Sequence, residues 1–351
     1  MKLRNLHIEN YKMFKDFDIS FVDKNNEALP IVVLAGVNGS GKTSLLEYVY
    51  NFLLNIQYKN SKSSIVFEIQ KNVQKKIYVF NNEILSMAIK SEYKVLETYP
   101  FKFKDYFFYF SANIDLKPIK ELLPEYLRKI VWDEDIKASE AFKRVKDFSN
   151  SIFKDLNIDM EFDSRDGKGN LYFRNKSGGN KFLIDELSTG EKILISKVLY
   201  LYLEDIKDKV ILIDEPELSL HPLWQKRVLK IYENFAKKNN CQIIIATHSP
   251  HIIASAKNKY LRFLVKEDNK IVVKQLTNSP LDRDTNTILK TIMGANYIPK
   301  ELEELHLEYR KLVDSGEVES QEAKKVKEKI LEFESPNSSF FQGIAFDLEL
   351  M

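Results

Sequence analysis

A chain of 351 residues with 44% hydrophobic content can bury a large core, as one elaborated domain or as two to three modules. Charged residues make up 30% but nearly cancel to +2, so no global basic field points to nucleic acid, although local patches remain open. A single cysteine, Cys241 in an apolar run, excludes a disulfide framework, and an alternating N-terminus and the lack of any apolar run of about 18 residues predict a soluble, cytoplasmic protein.

Residues 2–9 alternate as a half-buried strand, with residues 17–22 as its partner across a turn at 11–15. The unbroken apolar run Ile31–Ala35 reads as a buried strand and enters Gly36-Val37-Asn38-Gly39-Ser40-Gly41-Lys42-Thr43. From Ser44 the apolar spacing is helical, out to about residue 56. Strand, glycine loop and helix are the context in which G-x-x-x-x-G-K-[ST] cradles phosphate. Its glycines let backbone N–H groups turn inward, and the helix N-terminus adds partial positive charge. Lys42 is placed to reach the β- and γ-phosphates, and the Thr43 hydroxyl to ligate Mg²⁺.

A polar loop at 57–61 precedes a hairpin, Ile65–Ile69 with Lys76–Phe80, and a further core strand, Tyr106–Phe110. Helical spacing runs from 116 to 157, a second hairpin from Met160 to Phe173, and an apolar helix from 190 to 206. The strand Val210–Ile213 shows no alternation, which predicts burial on both faces of a parallel sheet. A helix at 222–237, the strand Gln242–Ala246 and a hairpin of Leu261–Val265 with Ile271–Gln275 follow, giving an α/β layered core. Beyond Pro280, residues 281–293 and 299–334 read as charged helices, the second stretch an αα-hairpin broken at Ser315-Gly316. A tail with Phe340, Phe341, Ile344 and Phe346 closes the chain. The expected division is 1–56, 57–179 (hairpin and helical insertion with one core strand), 180–278, and a helical appendage at 279–351.

Three further elements carry chemistry. The strand ending Asp214-Glu215 supplies one carboxylate to hold Mg²⁺ opposite Thr43 and a second to polarise an attacking water, unless both are surface acids. Leu187-Ser188-Thr189-Gly190-Glu191 opens a helix, where a hydroxyl and a glycine N–H form an anion site; alone, Ser188 is a plain N-cap. His248 stands just past the strand Gln242–Ala246, the edge where open α/β sheets place their sites, though a lone histidine there is usually structural.

In this order and spacing the four elements resemble an ABC-type ATPase head of the branch containing SMC, RecF and OLD-family proteins. Leu6–Phe14 and Glu215–Pro222 resemble that branch's opening strand and D-loop, and the match spans 1–56 and 180–255. The resemblance implies a P-loop NTPase fold of α/β class: a mixed sheet flanked by helices, an N-terminal antiparallel part, a helical insertion and a C-terminal helical appendage. It implies ATP and Mg²⁺, with nucleotide contacts from Gly36, Asn38, Gly39, Ser40, Gly41, Lys42, Thr43 and Ser44, metal contacts from Thr43 and Asp214, and catalytic roles for Glu215 and His248. It also implies an ATP-sandwiched homodimer, in which Leu187, Ser188, Thr189, Gly190 and Glu191 act on the nucleotide of a second copy and Ser219 to His221 cross the interface. Thr189 and Glu191 depart from the transporter pattern and favour the SMC/OLD branch. Gln57 and Gln70 are misplaced for a lid glutamine, Ser111-Ala112-Asn113 is a guess for it, and no adenine-stacking aromatic stands out.

The segment after residue 280 is too short for the Toprim nuclease of OLD proteins. It resembles instead the C-terminal region of Septu-type ATPases, which also accompany some retrons and work with a separately encoded HNH nuclease. The expected function is thus an ATPase subunit of an anti-phage complex, with the appendage docking its partner. A RecF-like repair ATPase acting directly on DNA and a nucleotide-gated scaffold are the alternatives.

Overall fold

A computed structural model describes residues 1–52, 63–71, 74–81, 106–112, 119–156, 159–167, 170–203, 206–218, 220–275 and 298–350, in two units, 1–288 and 289–351. The N-terminal alternation forms antiparallel strands β1 (Lys2–Tyr11) and β2 (Phe14–Ser20), in register from Asn5↔Ser20 to Tyr11↔Phe14. Their turn is tighter than the expected one at 11–15, because Lys12 takes a left-handed conformation at φ 49° and reverses the chain with Met13 alone. Then come β3 (Ile31–Ala35), the glycine loop, α1 (Lys42–Phe52), the hairpin β4 (Ser64–Lys71) and β5 (Gln74–Asn81), and β6 (Phe107–Phe110). The helical insertion is α2 (Ile119–Glu134) and α3 (Ala138–Leu156), followed by the small sheet β7 (Glu161–Arg165), β8 (Leu171–Arg174) and β9 (Phe182–Leu183). The first unit ends with α4 (Thr189–Leu203), β10 (Val210–Asp214), α5 (Pro222–Lys238), β11 (Gln242–Thr247), α6 (Pro250–Ser255), β12 (Leu261–Glu267) and β13 (Lys270–Lys274).

Two larger sheets result. One is antiparallel, in the order β2-β1-β4-β5; the other is mixed, in the order β13-β12-β3-β11-β10-β6, with its β12–β13 pair antiparallel and its other pairs parallel. Every residue of β3, β10 and β11 is buried, which is why none of the three alternates. Their register decides where the chemistry falls. Ala246 pairs with both Asp214 and Leu34, and Thr247 with Ala35, so the three strands end at one edge of the sheet.

Two buried polar side chains join the sheets. Gln242 accepts from the Leu3 N–H at 2.6 Å and donates to the carbonyls of Leu3 and Leu29 at 2.9 and 3.1 Å. Arg262, 1% exposed, donates to four main-chain carbonyls, those of Ser20, Val22, Lys259 and Leu261, at 2.6 to 2.9 Å. Burial pushes its pKa down to about 10, so it still carries its charge at neutral pH. Arg262→Met is expected to lower stability by about 3 kcal/mol, since it strands buried carbonyls that no neutral side chain reaches. Urea unfolding measures this, and a loss below about 1 kcal/mol would show the joint to be dispensable.

In the second unit, α7 (Lys300–Asp314) and α8 (Gln321–Leu331) are the expected hairpin. Gly316, at φ 77°, breaks the chain between them, and Ser320 caps α8 by accepting from the Ala323 N–H at 3.0 Å. The tail adds a third helix, α9 (Ser339–Leu350), where the sequence was read without one. Phe341 and Ile344 close the core built by Leu302, Leu305, Tyr309 and Val313 with Ala323, Val326 and Ile330. Two single stripes facing each other leave one side open, and α9 covers it. Phe340 stacks on His306 at 3.7 Å between centroids, while Phe346 is exposed. The helix expected at 281–293 lies outside the described residues.

Candidate functional site

Directly after β3 the loop turns through three glycines, Gly36 (φ 155°), Gly39 (φ 78°) and Gly41 (φ 90°), and closes where the Leu45 N–H donates to the Gly41 carbonyl at 2.8 Å. Lys42 folds back over this loop, its Nζ donating to the carbonyls of Gly36 and Val37 at 2.8 and 2.9 Å. Burial lowers its pKa, against the pull of Glu215, Glu217 and Asp214. An ammonium held in this way has its charge directed into the loop, ready to be shared with an anion.

The loop opens into a cavity of about 330 Å³. Asn38, Gly39, Gly41, Lys42, Thr43 and Ser44 line it together with Met13, Glu215 and His248. Of the nucleotide-contact residues read from the sequence, Gly36 and Ser40 do not line it; Ser40 is buried, its hydroxyl without a hydrogen-bond partner among the described residues. Asp214, 4% exposed, accepts from the Thr43 hydroxyl at 3.1 Å. Its pKa is pushed up to about 6, chiefly by burial and further by Glu215, Glu217 and Glu47, with the Thr43 bond opposing. A hydroxyl beside a carboxylate that burial penalises as an anion is a hard, oxygen-only donor pair suited to Mg²⁺. Among the described residues no group of three or more His, Cys, Asp or Glu could form an all-protein metal cage.

Glu215 sits at φ 47°, a left-handed conformation that costs a non-glycine residue about 1 kcal/mol, and its N–H donates to the Ala246 carbonyl at 2.9 Å. One of its carboxylate oxygens lies 3.1 Å from His248 Nδ1. Strand ends some thirty residues apart in sequence thus place an acid and an imidazole side by side on the cavity wall.

Among the described side chains of this stretch, Leu187, Ser188 and Gly190 do not line the cavity. Leu187 is buried, Ser188 is exposed immediately before α4, and Gly190 is half-buried in its first turn, with the Lys192 N–H donating to the Ser188 carbonyl at 3.0 Å. The side chains of Thr189 and Glu191, and all of Ser219, lie outside what is described.

Three contributions escaped the sequence reading. Met13 lines the cavity from the β1–β2 turn, and its neighbour Lys12 reaches Glu47 of α1 at 2.9 Å. Glu217 accepts three hydrogen bonds from Thr247, His248 and Ser249. Lys197 of α4 is buried, with Glu217 and Asp214 as the carboxylates acting on it. The tight turn left one available signal, a short polar step between two strands just ahead of the phosphate loop.

A family profile described as "AAA domain, putative AbiEii toxin, Type IV TA system" matches residues 31–254, from β3 through α6. The chain belongs to this AAA-domain family. The matched span holds the glycine loop, both carboxylates and His248, while Met13 of the cavity lining lies before it. The chain is 27% identical over 164 residues to the Retron Vc95 probable ATPase of Vibrio cholerae serotype O1 biovar El Tor, covering 42% of this chain and 31% of that protein. It is 36% identical over 117 residues to the Septu protein PtuA of Bacillus thuringiensis, covering 31% of this chain and 28% of that one. The chain thus matches about a third or less of the length of these curated relatives. A crystal structure of an SMC head bound to the C-winged helix domain of ScpA superposes with TM-score 0.51 at 15% identity, over 79% of this chain and 98% of that one. That likeness establishes an SMC-head-like fold. No helix among the described residues is long and apolar enough to cross a membrane.

Proposed function

We propose that the protein binds and hydrolyses ATP in the cavity around Lys42, completes each site with a second copy of itself, and through that cycle regulates a separately encoded nuclease in anti-phage defence. One observation carries the catalytic part: the aligned ends of β3, β10 and β11 put Lys42, Thr43, Glu215 and His248 on one cavity with Asp214 beneath. Loop N–H groups and the N-terminus of α1 receive the phosphates, and the Lys42 ammonium moves from its two carbonyls onto their oxygens. Thr43 and Asp214 would hold Mg²⁺, which when bound supplies charge neutralisation at the phosphates. Glu215 accepts a proton from the attacking water, and His248, its Nδ1 3.1 Å from that carboxylate, orients toward the transferred phosphoryl group.

The composite-site part rests on where the signature stands. Ser188 is exposed at the start of α4 and does not line the cavity, and an ATP-joined second copy would bring such a helix start against the nucleotide. Similarity to a retron ATPase and a Septu protein supports the defence setting, in which the effector would be an HNH-type nuclease on another chain. A Glu215→Gln variant tests the catalytic and composite-site parts. Its kcat for ATP hydrolysis is expected to fall at least ~100-fold with ATP affinity retained. In sedimentation with ATP the variant is expected to run as a dimer. A monomer with and without ATP would remove the composite site, and wild-type rates in the variant would remove Glu215 from catalysis.

A further inference from the structure

A second acid stands just beyond Glu215, and the scheme above leaves it unused. Glu217 is 6% exposed, on the turn between β10 and α5. A carboxylate this buried persists only where hydrogen bonds and charge compensate it. Its Oε1 gathers three donors from one tripeptide: the Thr247 hydroxyl at 2.6 Å, the His248 N–H at 2.9 Å and the Ser249 N–H at 3.0 Å. These are consecutive residues at the point where β11 ends and α6 begins.

The surroundings tighten the same corner. The Ser249 N–H is shared with the Thr247 hydroxyl at 2.9 Å, and the Ser249 hydroxyl donates to Gln225 of α5 at 2.6 Å while accepting from the Ile252 N–H at 3.2 Å. Glu217 Oε1 also lies 3.7 Å from His248 Nδ1, on a ring whose Nδ1 is buried and 3.1 Å from Glu215. The other oxygen of Glu217 is buried with no hydrogen-bond partner among the described residues, and the buried cations that feel this charge are Lys42 and Lys197 of α4, the helix that begins after Ser188. A cap for α6 needs one acceptor; an acceptor that takes a side chain and two successive N–H groups around a single histidine fixes the backbone from which that ring projects.

We propose that Glu217 is a positioning residue that holds the main chain of Thr247–Ser249 so that the His248 imidazole faces Glu215. The inference rests on the proposed hydrolysis reading for its kinetic consequence, and on the structure alone for its geometry.

The test uses the full chain with Glu217→Gln, which keeps a carbonyl acceptor for the three donors, beside Glu217→Ala, His248→Ala and the double variant of the two alanine changes. With histidine-labelled protein and no nucleotide, the Cε1–H resonance of His248, assigned by its loss in His248→Ala, is expected to shift in Glu217→Ala and to shift less in Glu217→Gln. The resonances of His7 and His306 are expected to stay in place. In ATP hydrolysis, Glu217→Ala is expected to lower kcat by ~100-fold with KM within about threefold of wild type, and Glu217→Gln to recover part of that loss. Adding Glu217→Ala to His248→Ala is expected to cost nothing further, because the residue acts through the ring that is gone. An unmoved His248 resonance would overturn the inference whatever the rates. An equal loss in the presence and absence of His248 would reduce Glu217 to a structural brace. A wild-type protein that does not hydrolyse ATP would overturn the proposed function while leaving the resonance to decide the positioning.

Discussion

Gly36→Ala is expected to lower stability by about 3 kcal/mol and to abolish nucleotide binding, whereas Gly39→Ala, three residues on, costs about 1 kcal/mol. A Cβ on Gly36 would stand 2.6 Å from the carbonyl oxygen of Leu264 and 2.7 Å from the Ser40 hydroxyl. The hydroxyl is at the end of a short side chain and can turn. The carbonyl belongs to β12, locked between β3 on one side and β13 on the other, and cannot. The loop must therefore lift away from β12, which takes with it the Gly36 carbonyl that seats Lys42. At Gly39 a Cβ meets nothing within 4 Å, so only the left-handed backbone (φ 78°) is strained. Urea midpoints and nucleotide titrations of the two variants separate these causes. Equal stability losses would mean that close approach to β12 does not set the loop's conformation.

What the sequence made legible follows from burial. Ile31–Ala35, Val210–Ile213 and Gln242–Ala246 lack alternation because both faces are covered, so each was readable as a central strand without knowledge of its neighbours. The residues at their ends were readable too, since Lys42, Asp214 and His248 each follow such a run. Their meeting was not. It depends on a register, Ala246 against both Asp214 and Leu34, that no local pattern encodes.

The same limit explains the residues that were missed. Met13 reaches the cavity because β1 and β2 fold over the loop closely enough that a Cβ on Gly41 would lie 2.7 Å from the Phe14 ring. In sequence it is one residue of a turn. Glu217 was read only as part of the stretch resembling a D-loop, and its burial appears only when the turn folds against the end of β11. The helix α9 escaped for another reason. Gly343 and a nearby proline argue against a helix locally, and packing of Phe341 and Ile344 into the α7–α8 groove overrides that preference. Ser188 stands at the opposite extreme: its place at a helix start was plain from the sequence, and the structure shows it exposed there, just before α4.

Asp214→Asn is expected to make the nucleotide-free protein more stable while removing its response to Mg²⁺ and ATP. In the folded protein the carboxyl has a pKa of about 6, against 3.8 for an unperturbed aspartate, because burial and the neighbouring acids penalise the anion. The folded state therefore binds the proton more tightly than the unfolded chain, and wild-type stability falls as pH rises through the window from about 4 to about 6. Above it, the ionised group opposes folding by about 2 to 3 kcal/mol, at roughly 1.4 kcal/mol per unit. Asparagine keeps the oxygen that accepts from Thr43 and carries no charge, so the variant escapes this penalty. Denaturation in EDTA at pH 7 is expected to show it more stable by about 2 kcal/mol, with the difference shrinking below pH 6 and gone near pH 4. Adding Mg²⁺ and ATP reverses the ranking, since the wild-type anion then has a cation to face and the amide does not. A variant less stable than wild type at pH 7 in EDTA would show that Asp214 is held by interactions stronger than its desolvation. The strain at the site would then have to come from elsewhere, with Glu215 at φ 47° a strained residue beside it.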